Sequence, residues 1–221
     1  MIRELPRPIL TVDIVLLTLM EERIHVVLQE RERMPFAGSS TLIGGYVRPD
    51  EDATTMAAAC RVLRDKAGIA ARRLEQLMTF SGPDRDPRGW SASVAYYGLV
   101  PKQNIPVDFG NGLVILPIDK IKGLPFDHDT ILATARERLR RRAAYSTLAA
   151  FMLPESFTLA ELRHTYEVTL GRSLNDSAFR RKVDELRMVE PVEGQSSKAT
   201  ARPAQLYRLR VDGVTEFDRT L

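Results

Sequence analysis

Two groups of cations are spaced for chemistry. Arg85 and Arg88 lie in the loop Ser81 to Trp90 (SGPDRDPRGW), where Asp86, Pro87 and Gly89 hold them beside an aromatic. Arginine forks match the oxygens of a diphosphate, and Trp90 is placed to stack on a base. The second group is Phe179-Arg180-Arg181-Lys182. Three consecutive residues on a helix fan over about 200°. One or two can then face base edges in a major groove while the rest meet phosphate, and arginine reads best because it bonds guanine bidentately. Each group also has a plainer reading. The loop is a surface turn with Asp86 paired to Arg88, or the helix face is solvated and paired to Asp184 and Glu185.

The elements that must position these groups fall into two halves. The first half reads as α/β. Ile9 to Met20 and Ile24 to Gln29 form a hairpin about Glu21-Glu22, and Ser93 to Val100 and Leu113 to Leu116 are further strands. A helix over Ala53 to Ala67 presents Met56, Cys60, Leu63 and Ala67 on one face, with Gly68 as its C-cap. A second helix, Asp129 to Arg142, turns Ile131, Leu132, Ala135 and Leu139 inward and ends in RERLRRR, a charge that suits a helix C-terminus. The second half changes character. A helical stretch runs to Phe151 and Pro154 breaks it. Thr158 and Glu161 then make a capping box for a helix to Leu170. Asn175, Asp176 or Ser177 caps the next helix, with Ala178, Phe179, Val183 and Leu186 inward. Met188 to Val192 and Gln205 to Val211 read as strands around the polar loop Glu193 to Ala201. Three helices, a strand, a loop and a strand make a winged helix-turn-helix.

Composition bounds the rest. The 221 residues suit one medium domain, 1–142, and one small domain, 143–221. Hydrophobic residues at 44% and charged residues at 28% describe a globular chain. The single Cys60 excludes an intrachain disulfide and a multi-cysteine zinc site. His25, His128 and His164 are far apart, so no metal is expected on histidines. No apolar run reaches the roughly 20 residues that cross a bilayer, and Met1 to Pro8 lacks a signal-peptide core. A soluble, cytoplasmic protein is expected. Residues 143–221 hold 11 basic and 11 acidic side chains, so local clustering rather than net charge must carry any DNA binding. Lys198, Arg202, Arg208 and Arg210 lie in and after the loop with no acid between them.

The segment Gly44 to Ile69 (GGYVRPDEDATTMAAACRVLRDKAGI) resembles a Nudix box, G-x5-E-x7-R-E-U-x-E-E-x-G-U with U a bulky aliphatic. Gln29 to Phe36 (QERERMPF) resembles the stretch before that box, and Ser81 to Trp90 the R-D-P-R-G loop of Nudix proteins that handle ADP-ribose. In active members the helix glutamates hold magnesium against a diphosphate, because a hard divalent cation takes oxygen ligands. Gly45 and Glu51 match the first fixed positions. Arg61, Leu63, Gly68 and Ile69 match the tail with a spacer two residues longer. The three acidic positions then become Val62, Asp65 and Lys66; without the insertion they become Cys60, Leu63 and Arg64. Either register puts a cation where magnesium would sit, so magnesium-dependent hydrolysis is expected to be lost and no cofactor is expected.

The back half, LPESFTLAELRHTYEVTL with FRRK and RPAQLYR, resembles the winged helix of the Nudix-related transcriptional regulators, the NrtR family. The resemblance implies an α+β Nudix-like sandwich, a mixed sheet with flanking helices, followed by a small winged helix. It implies a repressor of NAD-metabolism or sugar-utilisation genes. Such proteins are homodimers that bind a palindromic operator and release it when a nucleotide such as ADP-ribose fills the Nudix pocket. The expected ligand contacts are Arg31, Arg33, Gly44, Gly45, Arg48, Glu51, Arg85, Asp86, Arg88 and Trp90. The expected DNA contacts are Asn175, Ser177, Arg180, Arg181, Lys182, Lys198 and Arg202. The competing reading is an active Nudix hydrolase with atypical carboxylates, Glu51 with Asp65 or Asp84 with Asp86.

Overall fold

The computed structural model describes residues 7–70, 73–106, 112–197, 204–218 and 220. Lys198 and Arg202 lie outside the described residues. β1 (Ile9–Met20) and β2 (Arg23–Glu30) form the expected hairpin. Glu21 and Glu22 both take left-handed φ, 47° and 61°, the two-residue turn whose twist matches paired strands. Two strands join that the sequence pattern did not mark. β3 (Ser40–Tyr46) ends in a glycine pair, Gly44-Gly45, followed by Tyr46. β4 (Arg73–Gly82) carries a bulge between Gln76 and Met78 that breaks its alternation. With β5 (Ser91–Leu99) and β6 (Leu113–Pro117) they make a six-stranded mixed sheet in the order β4-β5-β1-β3-β2-β6. β1 is central. It runs parallel to β5, and antiparallel to β3 along Thr11 to Ile14 and to β2 beyond Leu16.

The period-two alternation of β1 feeds two cores. Val12, Ile14 and Leu16 pack under α1 (Thr55–Ala67), and Val15 and Leu17 face the other layer with α2 (His128–Ala143). On α2 the expected residues Ile131, Leu132, Ala135 and Leu139 are all buried. On α1 the expected face is only half right. Ala58, Ala59, Val62, Leu63 and Ala67 are buried, while Met56 and Cys60 point outward. Small side chains let the helix settle close to β3: a Cβ on Gly45 would stand 2.8 Å from Val62 Cγ2.

The back half is a winged helix-turn-helix. The stretch after Ala143 is a 3-10 turn over Leu148–Met152 rather than a helix. α3 (Leu159–Leu170) has the full capping box of Thr158 and Glu161 and ends at Gly171 with φ 68°. α4 (Asp176–Glu185) buries Phe179 and Val183. β7 (Val189–Ser197) reaches further into the polar segment than its sequence suggested and pairs with β8 (Ala204–Leu209). Phe157 and Tyr207 exchange backbone hydrogen bonds, which adds a third short rung.

One apolar cluster continues from Val15 of the sheet through α2 and the 3-10 turn to Phe179 and Val189. Polar ties reinforce that junction. Buried Tyr166 donates to the Ser146 carbonyl at 2.7 Å, and Arg142 bonds both Glu75 of β4 and Glu216 near the C-terminus. Burial, with the Glu75 carboxylate beside it, pushes the Tyr97 phenol at this junction up to about 12. Among the described residues no helix is long and apolar enough to cross a membrane.

Candidate functional site

A cavity of about 670 Å³ opens at the ends of β1 and β3, between α1 and the loop Arg31 to Ser39. Of the ten expected ligand contacts, Arg31, Arg33, Gly44, Gly45, Arg48, Arg85, Asp86 and Arg88 line it. Glu51 and Trp90 are not among its lining residues. Glu51 instead accepts from Arg48 at 2.8 Å, and Trp90 is half exposed with its carbonyl taken by the Ile9 amide. Sequence reasoning missed Asp13, Phe126 and His128, which line the cavity too.

Asp13 is the centre of a buried polar cluster. A carboxylate in the middle of a β-branched strand must find partners, and that was its signal in the sequence. Ser93 Oγ donates to Asp13 Oδ2 at 2.6 Å, His128 Nε2 stands 3.5 Å from Oδ1, and Arg85 Nη2 stands 3.5 Å from Oδ2. The Leu42 amide donates to His128 Nδ1 at 3.1 Å, which leaves the ring proton on Nε2 facing Asp13. Burial alone would push the Asp13 carboxyl up. The contacts from His128, Ser93 and Arg85 outweigh it and hold the group below its ordinary value. Gly44 makes the cluster possible. A Cβ there would meet Asp13 Oδ1 at 2.2 Å and the Val12 carbonyl at 3.0 Å, so only glycine lets the strands close over the carboxylate. We expect Gly44→Ala to lower the melting temperature by the equivalent of about 1–3 kcal/mol of overpacking, measured on the ligand-free protein.

The two loop arginines are held on carboxylates. Arg85 forks Asp127 at 2.9 and 2.8 Å and donates to Ser91 Oγ at 3.1 Å. Arg88 forks Asp86 at 2.9 and 2.6 Å, and its remaining amine meets the Tyr46 hydroxyl. The Arg88 fork, more than the opposing burial, holds the Asp86 carboxyl below its usual range. The plainer sequence reading, Asp86 paired with Arg88, is thus the arrangement in the unliganded protein. Gly89, at φ 141°, turns the chain where a side chain would be strained.

With the longer spacer, the tail of the box falls on Arg61, Leu63, Gly68 and Ile69, in and just after α1. Arg61 forks Asp52 at 2.8 and 2.7 Å and donates to the Tyr46 carbonyl at 3.0 Å. Hydrogen bonding from Arg61, with the Arg48 amide behind it, sets the Asp52 carboxyl at about 2. Gly68 takes φ 64° as the C-cap, and Ile69 is buried. In that register Val62 packs on Gly45, Asp65 pairs with Arg64 at 3.2 Å, and Lys66 Nζ donates to the Gly44 carbonyl at 2.6 Å. Burial first, and then neighbouring Arg31, depresses the Lys66 ammonium; burial and then Arg88 depress the Arg31 guanidinium. The cavity wall carries seven Lys and Arg residues against five Asp and Glu. Arg31 and Lys66, partly buried beside other cations, make a site that an anion relieves.

The α4 face presents its own cations. Arg180 is tied to Asp176 at 2.8 Å, whereas Arg181 is 76% exposed with only a 3.8 Å pairing to Glu185. Asn175 spends its side chain capping the Ala178 amide, and Ser177 donates to Asn175 Oδ1 at 2.8 Å. Lys182 is partly buried beside them.

Comparison with known proteins agrees with this architecture. A NUDIX domain model matches residues 7–137, and a model of the NrtR DNA-binding winged helix domain matches residues 149–209. The ADPR responsive transcriptional repressor NtrR of Acinetobacter baylyi is 37% identical over 207 residues, 92% of this chain and 82% of its own. The crystal structure of Shewanella oneidensis NrtR complexed with a 27mer DNA superposes with a TM-score of 0.88 at 33% identity, covering 96% of this chain and 99% of that one. The NUDIX domain of the same S. oneidensis protein complexed with ADP ribose matches with a TM-score of 0.57 at 32% identity, covering 61% of this chain and 90% of that one. A mixed-sheet Nudix domain, joined through one core to a winged helix of the NrtR type, makes this chain a member of the NrtR family.

Proposed function

We propose that the chain is a DNA-binding transcriptional repressor of NAD-metabolism or sugar-utilisation genes. Residues 1–142 bind a nucleotide effector, ADP-ribose or a near relative, and residues 143–221 read the operator as a homodimer in the cytoplasm. The observation that carries this reading is Lys66. Its ammonium sits 2.6 Å from the Gly44 carbonyl, inside a cavity with surplus cations. A divalent cation does not suit that donor set: Lys66 repels it, Val62 offers no oxygen, and the carboxylates of Glu51, Asp52 and Asp65 face arginines. The cavity is thus suited to hold a diphosphate on cations and to leave its bonds intact. The likeness to the A. baylyi repressor and to the DNA and ADP-ribose complexes of S. oneidensis NrtR supports the same assignment.

The route from effector to DNA is short. Asp127 is the N-cap residue of α2, yet its carboxylate makes no cap bond because Arg85 holds it. A diphosphate drawing Arg85 toward the cavity frees Asp127 for the helix terminus. The other end of α2 carries the winged helix.

A gel shift with the protein's own upstream DNA tests the whole reading. Binding at about 10⁻⁸ M or tighter, falling steeply with salt, and release on adding ADP-ribose are expected. Magnesium-dependent formation of AMP and ribose 5-phosphate from ADP-ribose should stay at background. Absence of a shift on every upstream fragment removes the repressor assignment, and turnover abolished by Glu51→Gln establishes the hydrolase instead.

A further inference from the structure

A second groove, of about 980 Å³, runs along α2 between the β1–β2 turn, the segment Ile118 to Lys122 and the last turn of α3. Its floor is apolar, with Ile118, Leu132 and Leu170 buried there. Its rim is charged, and the two signs are not equivalent. Three of its four acids are committed. Asp129 accepts the Gly123 and Leu124 amides at 2.8 and 3.1 Å, Glu137 takes Arg141 at 2.7 Å, and Asp119 faces Arg23 at 3.6 Å. Lys122, Arg136 and Arg140 are exposed and have no hydrogen-bond or ion-pair partner among the described residues. Arg136 and Arg140 are four residues apart, so they stand on one strip of α2. The macrodipole favours cations only in the last turn of a helix. It accounts for Arg140 but not for Arg136, the ninth of 16 residues.

This strip belongs to the effector-binding half of the chain, yet it borders the other half. Val168 to Gly171 form one wall of the groove, and Asn175, the N-cap of α4, comes four residues later. Four residues span at most about 14 Å. The N-terminal residues of a recognition helix contact base edges. The phosphates that border such a contact therefore pass close to the turn Gly171 to Asn175 and to the groove beside it.

We propose that Lys122, Arg136 and Arg140 form a second DNA contact, in which the effector-binding half of the chain grips operator phosphates next to those met by α4. The proposal rests on the functional reading above and adds a surface outside the winged helix. This surface reads no sequence, because phosphate contacts position the protein while base edges carry discrimination. It also lies on α2 itself, whose first residue, His128, lines the effector cavity. Displacing that helix moves the phosphate contacts directly.

Arg136→Gln combined with Arg140→Gln removes the two helix cations and keeps good helix formers, so the far-ultraviolet spectrum and the melting temperature should match wild type. Operator affinity at about 0.1 M salt should fall roughly ten- to a hundredfold, and the slope of log affinity against log salt should shrink by about two. The loss should be equal on every operator variant. Lys102→Gln, at an exposed position beside Ile105 of the α1 core, should change neither quantity. Operators carrying one neutral methylphosphonate locate the contact. Wild type should weaken at a set of positions, and the double variant should become indifferent at some of these while staying sensitive at those facing α4. A double variant with wild-type affinity and salt slope, or one still sensitive at every position where wild type is, overturns the second contact and leaves the functional reading standing. A change of oligomeric state on sedimentation does the same, by assigning the groove to a second copy of the chain. A wild-type protein that binds no fragment of its upstream DNA removes the functional reading and this contact together.

Discussion

Arg85→Ala should lower the stability of the ligand-free protein by about 3–5 kcal/mol, the range for leaving buried charge unpaired. In a chain of this length that is a melting temperature roughly 10 °C lower. The Arg85 side chain is 8% exposed and is the only Lys or Arg among the described residues whose hydrogen bonds reach both Asp13 and Asp127. Without it two carboxylates share a buried site, and Ser91 Oγ loses its donor. The pH dependence supplies a signature. The folded Asp13 carboxyl lies below its unfolded value of about 4, so its contribution is present above that value and is lost as the pH falls through the folded one. Arg85→Ala should therefore differ most from wild type at neutral pH, and the two unfolding curves should converge on acidification. A variant that melts at the wild-type temperature at pH 7 would return Arg85 to a purely ligand-contacting role. The sequence offered Arg85 a diphosphate or a surface turn, and not this buried pairing, because a fork that fits a diphosphate fits a carboxylate equally well.

Arg181→Ala should weaken operator binding about ten- to a hundredfold per half-site and blur discrimination among operator variants, with the far- and near-ultraviolet spectra unchanged. A bidentate arginine contact to guanine contributes roughly 1–3 kcal/mol of discrimination. Arg181 is the more exposed and the less tightly paired of the two arginines, whereas Arg180 already bonds Asp176 through Nε. Arg180→Ala should accordingly lose less, and mainly through phosphate contacts that also flatten the salt dependence. Wild-type affinity in Arg181→Ala on the cognate operator would take α4 out of the recognition role.

The elements with strong periodicity were legible in the residues. The β1–β2 hairpin, the inward face of α2 and the capping box of α3 all stand where pattern and cap chemistry put them. β3 and β4 were not, because a glycine pair and a bulge each disrupt the two-residue repeat on which strand reading depends. The face of α1 was misjudged: Ala58 and Ala59 are buried while the larger Met56 and Cys60 lie outside, and it is Val62 that packs on Gly45. At the site, eight of the ten ligand contacts named from the sequence line the cavity, but the partners of Arg85 were not legible. Asp13 and Asp127 come from segments far apart in the chain, and only folding reveals that Arg85 bonds both. The aromatic at the mouth was sought in Trp90 beside the arginines in sequence, yet Phe126 arrives there from 36 residues further on.

α2 spans 16 residues, about 24 Å of continuous helix. Its first turn touches the cavity cluster, and its last turn is fused to the core beneath the DNA-reading helices. Such a rod acts as a lever arm. A tilt of about 10° pivoting at the effector end sweeps the far end by roughly 4 Å over that length, a distance comparable to the rise of one base pair. In the proposed homodimer, two copies on one operator would be displaced from their half-sites in opposite directions, so a small rearrangement at the proposed effector site would weaken the fit to DNA.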